Sequence, residues 1–203
     1  MVSVPPVRID MPSEYRFILA SASPRRRELF SIIWPDFDVE VSDVDESSVS
    51  WTSPEELCLA LSRLKATDVA SRHTDSCVIG ADTIVCVDGE VLGKPHDHGD
   101  AVRMLTMLSG RSHHVLTGIC ICLGGKVITN KCCDTEVVFK SLTTSEINSY
   151  VSSGDPFDKA GAYGIQNGAA RFCERINGDF FNVVGLPVNL LYETLVDSGL
   201  LDQ

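Results

Sequence analysis

Apolar residues form short continuous runs in some stretches of the chain and follow a helical period in others. The runs predict strands at residues 17–20, 37–41, 77–80 and 84–87. Two turns predict hairpins. Asp88-Gly89 suits a type I′ turn before residues 90–92, and Gly124-Gly125 joins long strands at residues 115–123 and 126–140.

Helical patterns lie between these strands. Ser53-Pro54-Glu55-Glu56 forms a capping box with proline at the first helical position, and apolar residues at helical spacing follow it. Further helices are predicted from about Pro24, before Ser109-Gly110, after Thr143 and near Pro187. The alternation predicts a mixed α/β fold. We expect a single domain over residues 16–203, preceded by an extension at residues 1–15.

The composition is that of a folded, acidic protein. Apolar residues make up 44% of the 203 residues, and 28 acidic against 17 basic side chains give a net charge of −11. Nucleic-acid affinity depends on neutralisation of phosphates by basic residues, so this charge argues against a nucleic-acid partner. Clustered arginine and lysine in such a chain instead suggest a small anionic ligand.

Secretory and membrane signals are absent from the sequence. No signal-peptide pattern opens the chain, no apolar stretch approaches the roughly 20 residues of a membrane span, and the eight cysteines include no Cys-x-x-Cys pair. Cys86, Cys120 and Cys122 lie in strand-like segments, where a buried free thiol is common. We expect a cytoplasmic protein with reduced cysteines and no membrane partner.

A basic cluster lies where the first strand gives way to the first helix. Ser21-Ala22-Ser23-Pro24 leads into three consecutive arginines at residues 25–27. A helix start offers free backbone N–H groups and the positive end of the helix dipole, and arginine binds oxyanions in a planar, bidentate manner. The junction is a candidate phosphate site, although a solvated helix with a basic face has the same pattern.

Carboxylates at two places could act on such a ligand. Asp82, in Gly80-Ala81-Asp82-Thr83, is predicted at the end of an apolar strand, where it could hold a metal, accept a proton from water or cap a turn. Asp43-Val44-Asp45-Glu46 either supplies hard oxygen ligands for Mg²⁺ or decorates a solvated loop. The local sequence leaves both alternatives open.

Two further segments offer cations and close backbone approach. Gly93-Lys94-Pro95 holds a lysine in a rigid turn that suits a phosphate. Residues 158–166 combine small residues with Lys159, Tyr163 and Gln166, which supply hydrogen-bonding groups. Together with the arginines and carboxylates, these segments provide what metal-assisted attack on a polyphosphate requires.

Five blocks of the chain resemble, in the same order, the signature blocks of the Maf nucleotide pyrophosphatases. The blocks are Ser21–Arg26, Gly80–Thr83, Gly93–Pro95, Asp158–Gln166 and Asn182–Pro187. The resemblance implies an α/β fold related to inosine triphosphate pyrophosphatases, with a mixed sheet, helices on both faces, two lobes around a cleft and often a homodimer. It also implies hydrolysis of nucleoside triphosphates to the monophosphate and pyrophosphate, with Mg²⁺ as the expected metal and Mn²⁺ or Co²⁺ as substitutes.

The resemblance also implies roles for single residues. Asp82 matches the acid that activates water, and Glu46 matches the acid associated with metal binding or catalysis, so both are predicted as metal ligands. Arg26, Lys65 and Lys94 match the cations of the phosphate site, with Lys94 also predicted as catalytic.

The remaining predicted contacts are with the substrate. Ser21 matches a hydroxyl of the phosphate site, and Lys159 of the fourth block is a further substrate-binding candidate. Arg25, Thr83 and Gln166 match the trio that marks the dTTP/UTP-preferring subgroup rather than the 7-methyl-GTP subgroup.

The chain departs from the family pattern after Gln166, where Asn167-Gly168 replaces the usual glycine close to the expected base pocket. A second hypothesis, a nucleotide-binding regulator of cell division with little turnover, also follows from the resemblance. Turnover requires an ionisable acid at position 82, and the presence of Asp82, Glu46, Lys65 and Lys94 favours the enzyme.

Overall fold

A computed structural model describes residues 15–201. The strands are β1 (Arg16–Ala20), β2 (Phe37–Val39), β3 (Ser76–Val87), β4 (Glu90–Leu92), β5 (Ser112–Leu123), β6 (Lys126–Phe139) and β7 (Cys173–Asn177). The helices are α1 (Pro24–Ile33), α2 (Pro54–Ala70), α3 (His98–Leu108), α4 (Thr144–Val151), α5 (Phe180–Val184) and α6 (Val188–Asp197). Short 3₁₀ turns lie at Glu46–Ser48, Asp155–Asp158, Ala160–Ala162 and Gly168–Phe172.

The seven strands form one mixed sheet in the order β2-β1-β3-β5-β6-β7, with β4 paired to β3. β2, β1 and β3 are parallel, and the pairs from β3 through β5 and β6 to β7 are antiparallel. Ile18 and Ala20 pack against α2 on one face, while Phe17 and Leu19 belong to the larger core that α1, α3 and α6 cover on the other. The predicted α/β class, with helices on both faces of a mixed sheet, is confirmed.

Several local predictions are also confirmed. Asp88 and Gly89 both have positive φ, at 52° and 82°, as a type I′ turn requires. The Thr143 side chain accepts a hydrogen bond from the Glu146 backbone, and Glu146 reaches back to the Thr143 N–H. The capping box of α2 is modified. The Ser53 side chain accepts from the Glu56 N–H, but the Glu56 carboxylate accepts from the N–H and hydroxyl of Thr52, at 2.8 and 2.6 Å, rather than from the Ser53 N–H.

The predicted position of Asp82 at a strand end is wrong. β3 continues without interruption from Ser76 to Val87, so Asp82 lies in its middle. The pairing along one edge of β3 is interrupted instead. β1 pairs with β3 as far as Gly80, and β4 pairs with β3 only from Val85 onward. Residues 81–84 therefore have no strand partner on that edge within the described part of the chain, while β5 pairs along the other edge. A cleft in the molecule lies at this gap in the strand pairing.

The cysteines agree with the prediction of free thiols. All eight are unpaired, and Cys86, Cys120 and Cys122 are buried in their strands. Over residues 15–201, none of the helices combines the length and the apolar character that a bilayer span would need. The predicted extension, residues 1–15, lies almost wholly outside the described residues.

Candidate active site

A cleft of about 720 Å³ opens at the unpaired edge of β3. Its walls are the strand-to-helix junction at residues 21–26, the side of α2, and the segment 158–167. Every residue predicted for the site lines this cleft: Ser21, Arg25, Arg26, Glu46, Lys65, Asp82, Thr83, Lys94, Lys159 and Gln166. Side chains from six separate parts of the sequence are thus brought to one cavity.

The centre of the cleft holds two carboxylates joined by one ammonium. Lys65 Nζ lies 2.5 Å from Asp82 Oδ1 and 3.0 Å from Glu46 Oε1. The side chains of Lys65 and Asp82 are 15% and 12% exposed, whereas that of Glu46 is 50% exposed. Asp82 is therefore a shielded carboxylate that still faces the cavity.

The close packing of α2 on the sheet positions Lys65. A Cβ added at Gly80 would lie 2.5 Å from the Ser62 carbonyl oxygen and 2.6 Å from the Ala66 nitrogen. At Gly118 on β5, an added Cβ would lie 2.5 Å from the Cys58 carbonyl oxygen. Two glycines thus let the helix backbone approach the strands more closely than any side chain would allow, and Lys65 on that helix reaches Asp82.

A directed chain of hydrogen bonds fixes Arg26. Its guanidinium donates to Ser21 Oγ at 3.2 Å, to Thr83 Oγ1 at 3.0 Å and to the Gly185 carbonyl at 2.9 Å. Thr83 Oγ1 lies 2.9 Å from Thr117 Oγ1, which donates to the Asn182 carbonyl at 3.1 Å. Burial lowers the pKa of Arg26 and the nearby Asp82 charge opposes this, but a guanidinium keeps its proton in proteins.

Arg25 and Lys159 are held by carboxylates of the segment 155–158. Arg25 donates to Asp158 Oδ2 at 3.1 Å. Lys159 Nζ donates to the Asp155 carbonyl at 2.6 Å, to Asp155 Oδ1 at 3.0 Å and to Asp158 Oδ1 at 2.6 Å. An ammonium has three donors, so Lys159 has none left for a substrate in this arrangement.

The remaining predicted residues differ in whether other side chains hold them in place. Lys94 and Gln166 line the cleft and are exposed to solvent. Of the acidic run, Glu46 contacts Lys65, whereas the Asp45 carboxylate caps the following turn by accepting from the Ser47 N–H at 2.9 Å. The run is thus divided between the cleft and the local structure of the loop.

Several residues of the site were not predicted as site residues from the sequence. Thr117 and Asn182 are fully buried polar residues that extend the Arg26 chain. Cys58 lies beneath the central carboxylate, with Sγ 3.3 Å from the Asp82 carbonyl oxygen. Asp155 accepts from three side chains around the 158–167 segment. Their importance depends on contacts between distant segments, which spacing along the chain does not show.

Glu46 and Asp82 are the residues that could hold a metal ion. Carboxylate oxygens suit Mg²⁺, which commonly takes one or two protein carboxylates and completes its shell with water and substrate phosphates. Among residues 15–201, no cluster of three or more His, Cys, Asp or Glu side chains has the arrangement of a metal site. The donor set therefore fits an ion that is shared with a phosphate ligand rather than enclosed by protein.

Comparison with known proteins agrees with this geometry. The Maf-like protein family matches residues 16–198. A protein of Thermococcus gammatolerans named dTTP/UTP pyrophosphatase is 51% identical over 87% of this chain and 93% of its own length. One of the same name from Geobacter metallireducens is 47% identical over 94% of this chain and all of its own length.

A solved structure supports the fold. The Staphylococcus aureus Ham1 protein superimposes with a TM-score of 0.51 at 18% identity, over 90% of this chain and 98% of its own. This likeness extends to the architecture of the mixed sheet and its helices. With the family match over residues 16–198 and relatives above 45% identity, the chain belongs to the Maf-like protein family.

Proposed function

We propose that this protein hydrolyses dTTP, UTP and related or modified pyrimidine nucleoside triphosphates to the monophosphate and pyrophosphate, which would remove unwanted nucleotides from the cellular pool. Its Maf-family membership and the name shared by its relatives support this reaction. The observation that carries the proposal is the pair of carboxylates around Lys65, set in a cleft with several cations.

The cations on the cleft walls would hold the triphosphate. Arg26 is fixed by Ser21, Thr83 and the Gly185 carbonyl, so its orientation is set before a substrate arrives. Lys65 and Lys94 would add positive charge from α2 and from the turn after β4. Preorganised charges of this kind stabilise the charge that develops on phosphate oxygens in the transition state.

Asp82 would accept the proton of the attacking water. Its carboxylate faces the cleft, and Lys65 holds one of its oxygens and leaves the other outside the ion pair. A divalent ion, expected to be Mg²⁺ with Mn²⁺ or Co²⁺ as substitutes, would polarise the phosphate and be held by Glu46 and Asp82. Water attack at the α phosphorus breaks the bond to the bridging oxygen, and pyrophosphate leaves with that oxygen.

Gln166 and Arg25 would select the base. The exposed amide of Gln166 can donate and accept at the same time, which suits the O4 and N3–H edge of uracil or thymine. Thr83, the third member of the predicted trio, uses its hydroxyl to bind Arg26 and Thr117. We therefore propose that Thr83 contributes to specificity through the position of Arg26.

A nucleotide panel tests the proposal. The purified protein is incubated with Mg²⁺ and each of dTTP, UTP, CTP, ATP and GTP, and pyrophosphate and orthophosphate are measured separately. We expect dTTP and UTP to exceed ATP and GTP in kcat/KM by an order of magnitude or more, because an unpaired polar group costs about 1–3 kcal/mol. Binding of nucleotide without turnover would favour the regulator hypothesis.

We also propose that the protein is a homodimer and lies in the cytoplasm. Light scattering would measure the oligomeric state, and cell fractionation would test the location.

A further inference from the structure

The carboxylate of Asp155 joins three segments of the chain beside the cleft. Oδ2 accepts from the Tyr150 hydroxyl of α4 at 2.5 Å. Oδ1 accepts from Lys159 Nζ at 3.0 Å and from Asn167 Nδ2 at 2.8 Å. Burial acts to raise the pKa of Asp155, and these hydrogen bonds outweigh it, so the pKa lies below its ordinary value. The group is a charged acceptor shared by three donors.

These contacts enclose the segment 159–167 from both ends. Lys159 begins the segment and Asn167 ends it, and both donate to the same carboxylate. In the middle, the Gly164 N–H donates to the Tyr150 hydroxyl at 3.1 Å. The Lys159 stem runs so close to Gly164 that an added Cβ would lie 2.5 Å from Cε. The conformation of the segment therefore depends on Asp155.

The same network reaches both of the residues that would select the base. Gln166 is next to Asn167 and lies within the enclosed segment. At the other end, Lys159 binds Asp158, whose second oxygen accepts from Arg25. The Lys159 side chain is only 8% exposed, and Asp155 and Asp158 both compensate its charge. Without the Asp155 carboxylate, Asp158 would be its one carboxylate contact among the described residues, and it is also bound by Arg25.

We propose that Asp155 is a positioning residue for base selection, because its carboxylate holds the 159–167 segment in the conformation that presents Gln166 to the cleft. The inference rests on the proposed pyrimidine triphosphatase activity. It also gives a role to Asn167, at which the chain departs from the usual family pattern, as one of the three donors to this carboxylate.

The test compares Asp155→Asn and Asp155→Ala with the wild-type protein. The ratio of kcat/KM for dTTP to that for ATP is measured together with kcat, KM and amide hydrogen exchange in residues 159–167. We expect the ratio to fall by about tenfold, since hydrogen bonds to a charged group are among the stronger ones. We expect the loss to appear in KM for dTTP, with kcat close to wild type and faster exchange in the segment.

Asp38→Asn is the matched control, because Asp38 also forms an ion pair, with Arg16, but does not line the cleft. Tyr150→Phe removes one donor while keeping the ring, and it provides the test if the Asp155 variants do not fold. Faster exchange with an unchanged dTTP/ATP ratio would overturn the inference, and so would an equal loss of kcat on every nucleotide. A wild-type protein without pyrimidine preference would instead refute the proposed function before any variant is compared.

Discussion

The residues around Asp82 hold its carboxylate in place. Lys65 holds one carboxylate oxygen at 2.5 Å, and the strand that would have covered it ends at Ala20. A carboxylate held in this way is oriented and open to water, which a general base requires.

Asp82→Asn should reduce kcat by about 10²–10⁴, the usual contribution of a general base, because the amide cannot accept a proton. Nucleotide binding should persist, since the arginines and lysines are unchanged and one negative charge is removed. Steady-state kinetics and the binding of a non-hydrolysable dTTP analogue would measure the two effects separately. Turnover close to wild type would show that another group activates the water.

Gln166→Glu should lower kcat/KM for dTTP and UTP by about tenfold or more, because a carboxylate cannot donate to the base and would repel the triphosphate. The side chain is exposed, so the melting temperature should stay close to that of the wild type. Kinetics on dTTP and ATP, with thermal unfolding as the control, would check this. An equal loss on both nucleotides would argue against base recognition by Gln166.

His113 is a buried histidine whose charge the fold does not tolerate. Its Nε2 lies 2.8 Å from the Tyr163 hydroxyl, its Nδ1 has no hydrogen-bond partner within residues 15–201, and its ring packs against Phe139. Burial, with a smaller repulsion from His114, lowers the pKa of His113 to about 3. The unfolded chain binds a proton at a higher pH, so this residue reduces stability as the pH falls below about 6.5.

His113→Gln should therefore flatten the pH dependence of stability. Between pH 7 and pH 5 the wild-type protein should lose about 2 kcal/mol of unfolding free energy through this residue, and the variant should lack that loss. Urea unfolding at both pH values would measure it. Identical slopes for wild type and His113→Gln would contradict the assignment.

The sequence shows which residues could act but not how they are paired. Asp82, Glu46 and Lys94 could be chosen as candidates from the local sequence, because a carboxylate after an apolar run, an acidic run and a lysine in a rigid turn all suit a phosphate or metal site. The hydrogen-bond networks beyond Thr83 and around Asp155 could not, because Thr117 and Tyr150 resemble ordinary strand and helix residues in the sequence. Their roles follow from hydrogen bonds between segments that are far apart along the chain.

Among the elements, the contact between α2 and the sheet has the greatest effect on the site. Gly80 and Gly118 on adjacent strands leave room for the helix backbone, and the same helix bears Lys65. The depth at which α2 packs therefore sets the distance from the ammonium to Asp82. Either glycine could be taken for a simple strand irregularity from the sequence alone.

Gly80→Ala should destabilise the protein by about 1–3 kcal/mol, because the new methyl group meets backbone atoms that cannot rotate away. Moving α2 outward would also displace Lys65, so kcat should fall as well. Urea unfolding and dTTP kinetics would measure both effects. Gly93→Ala is a suitable stability control, since its added Cβ would have no heavy atom within 4 Å. A Gly80→Ala protein as stable as wild type would show that α2 is not held this closely.

Element types were predictable where the determining signal is local. The hairpin turn at Asp88-Gly89 and the caps of α2 and α4 depend on neighbouring residues, and the structure contains them. The length of β3 was not predictable, because Asp82 and Thr83 interrupt its apolar run although the strand continues through them. Strand partners depend on topology, which a run of apolar residues does not encode.

At the scale of the whole molecule, charge is distributed unevenly. The chain has a net charge of −11, yet the cleft walls include Arg25, Arg26, Lys65 and Lys94. Lys65 and Arg25 are paired with protein carboxylates, so a triphosphate would compete with those carboxylates for its cations. This local concentration of charge favours a compact polyanion over an extended one such as nucleic acid.

In the proposed mechanism, water is directed at the α phosphorus of a bound pyrimidine triphosphate. Turnover of dTTP with Mg²⁺ in ¹⁸O-labelled water, followed by ³¹P NMR or mass spectrometry, locates the bond that breaks. We expect the label to enter the thymidine monophosphate and the released pyrophosphate to be unlabelled. Label in the pyrophosphate, or release of labelled orthophosphate with a nucleoside diphosphate, would contradict it.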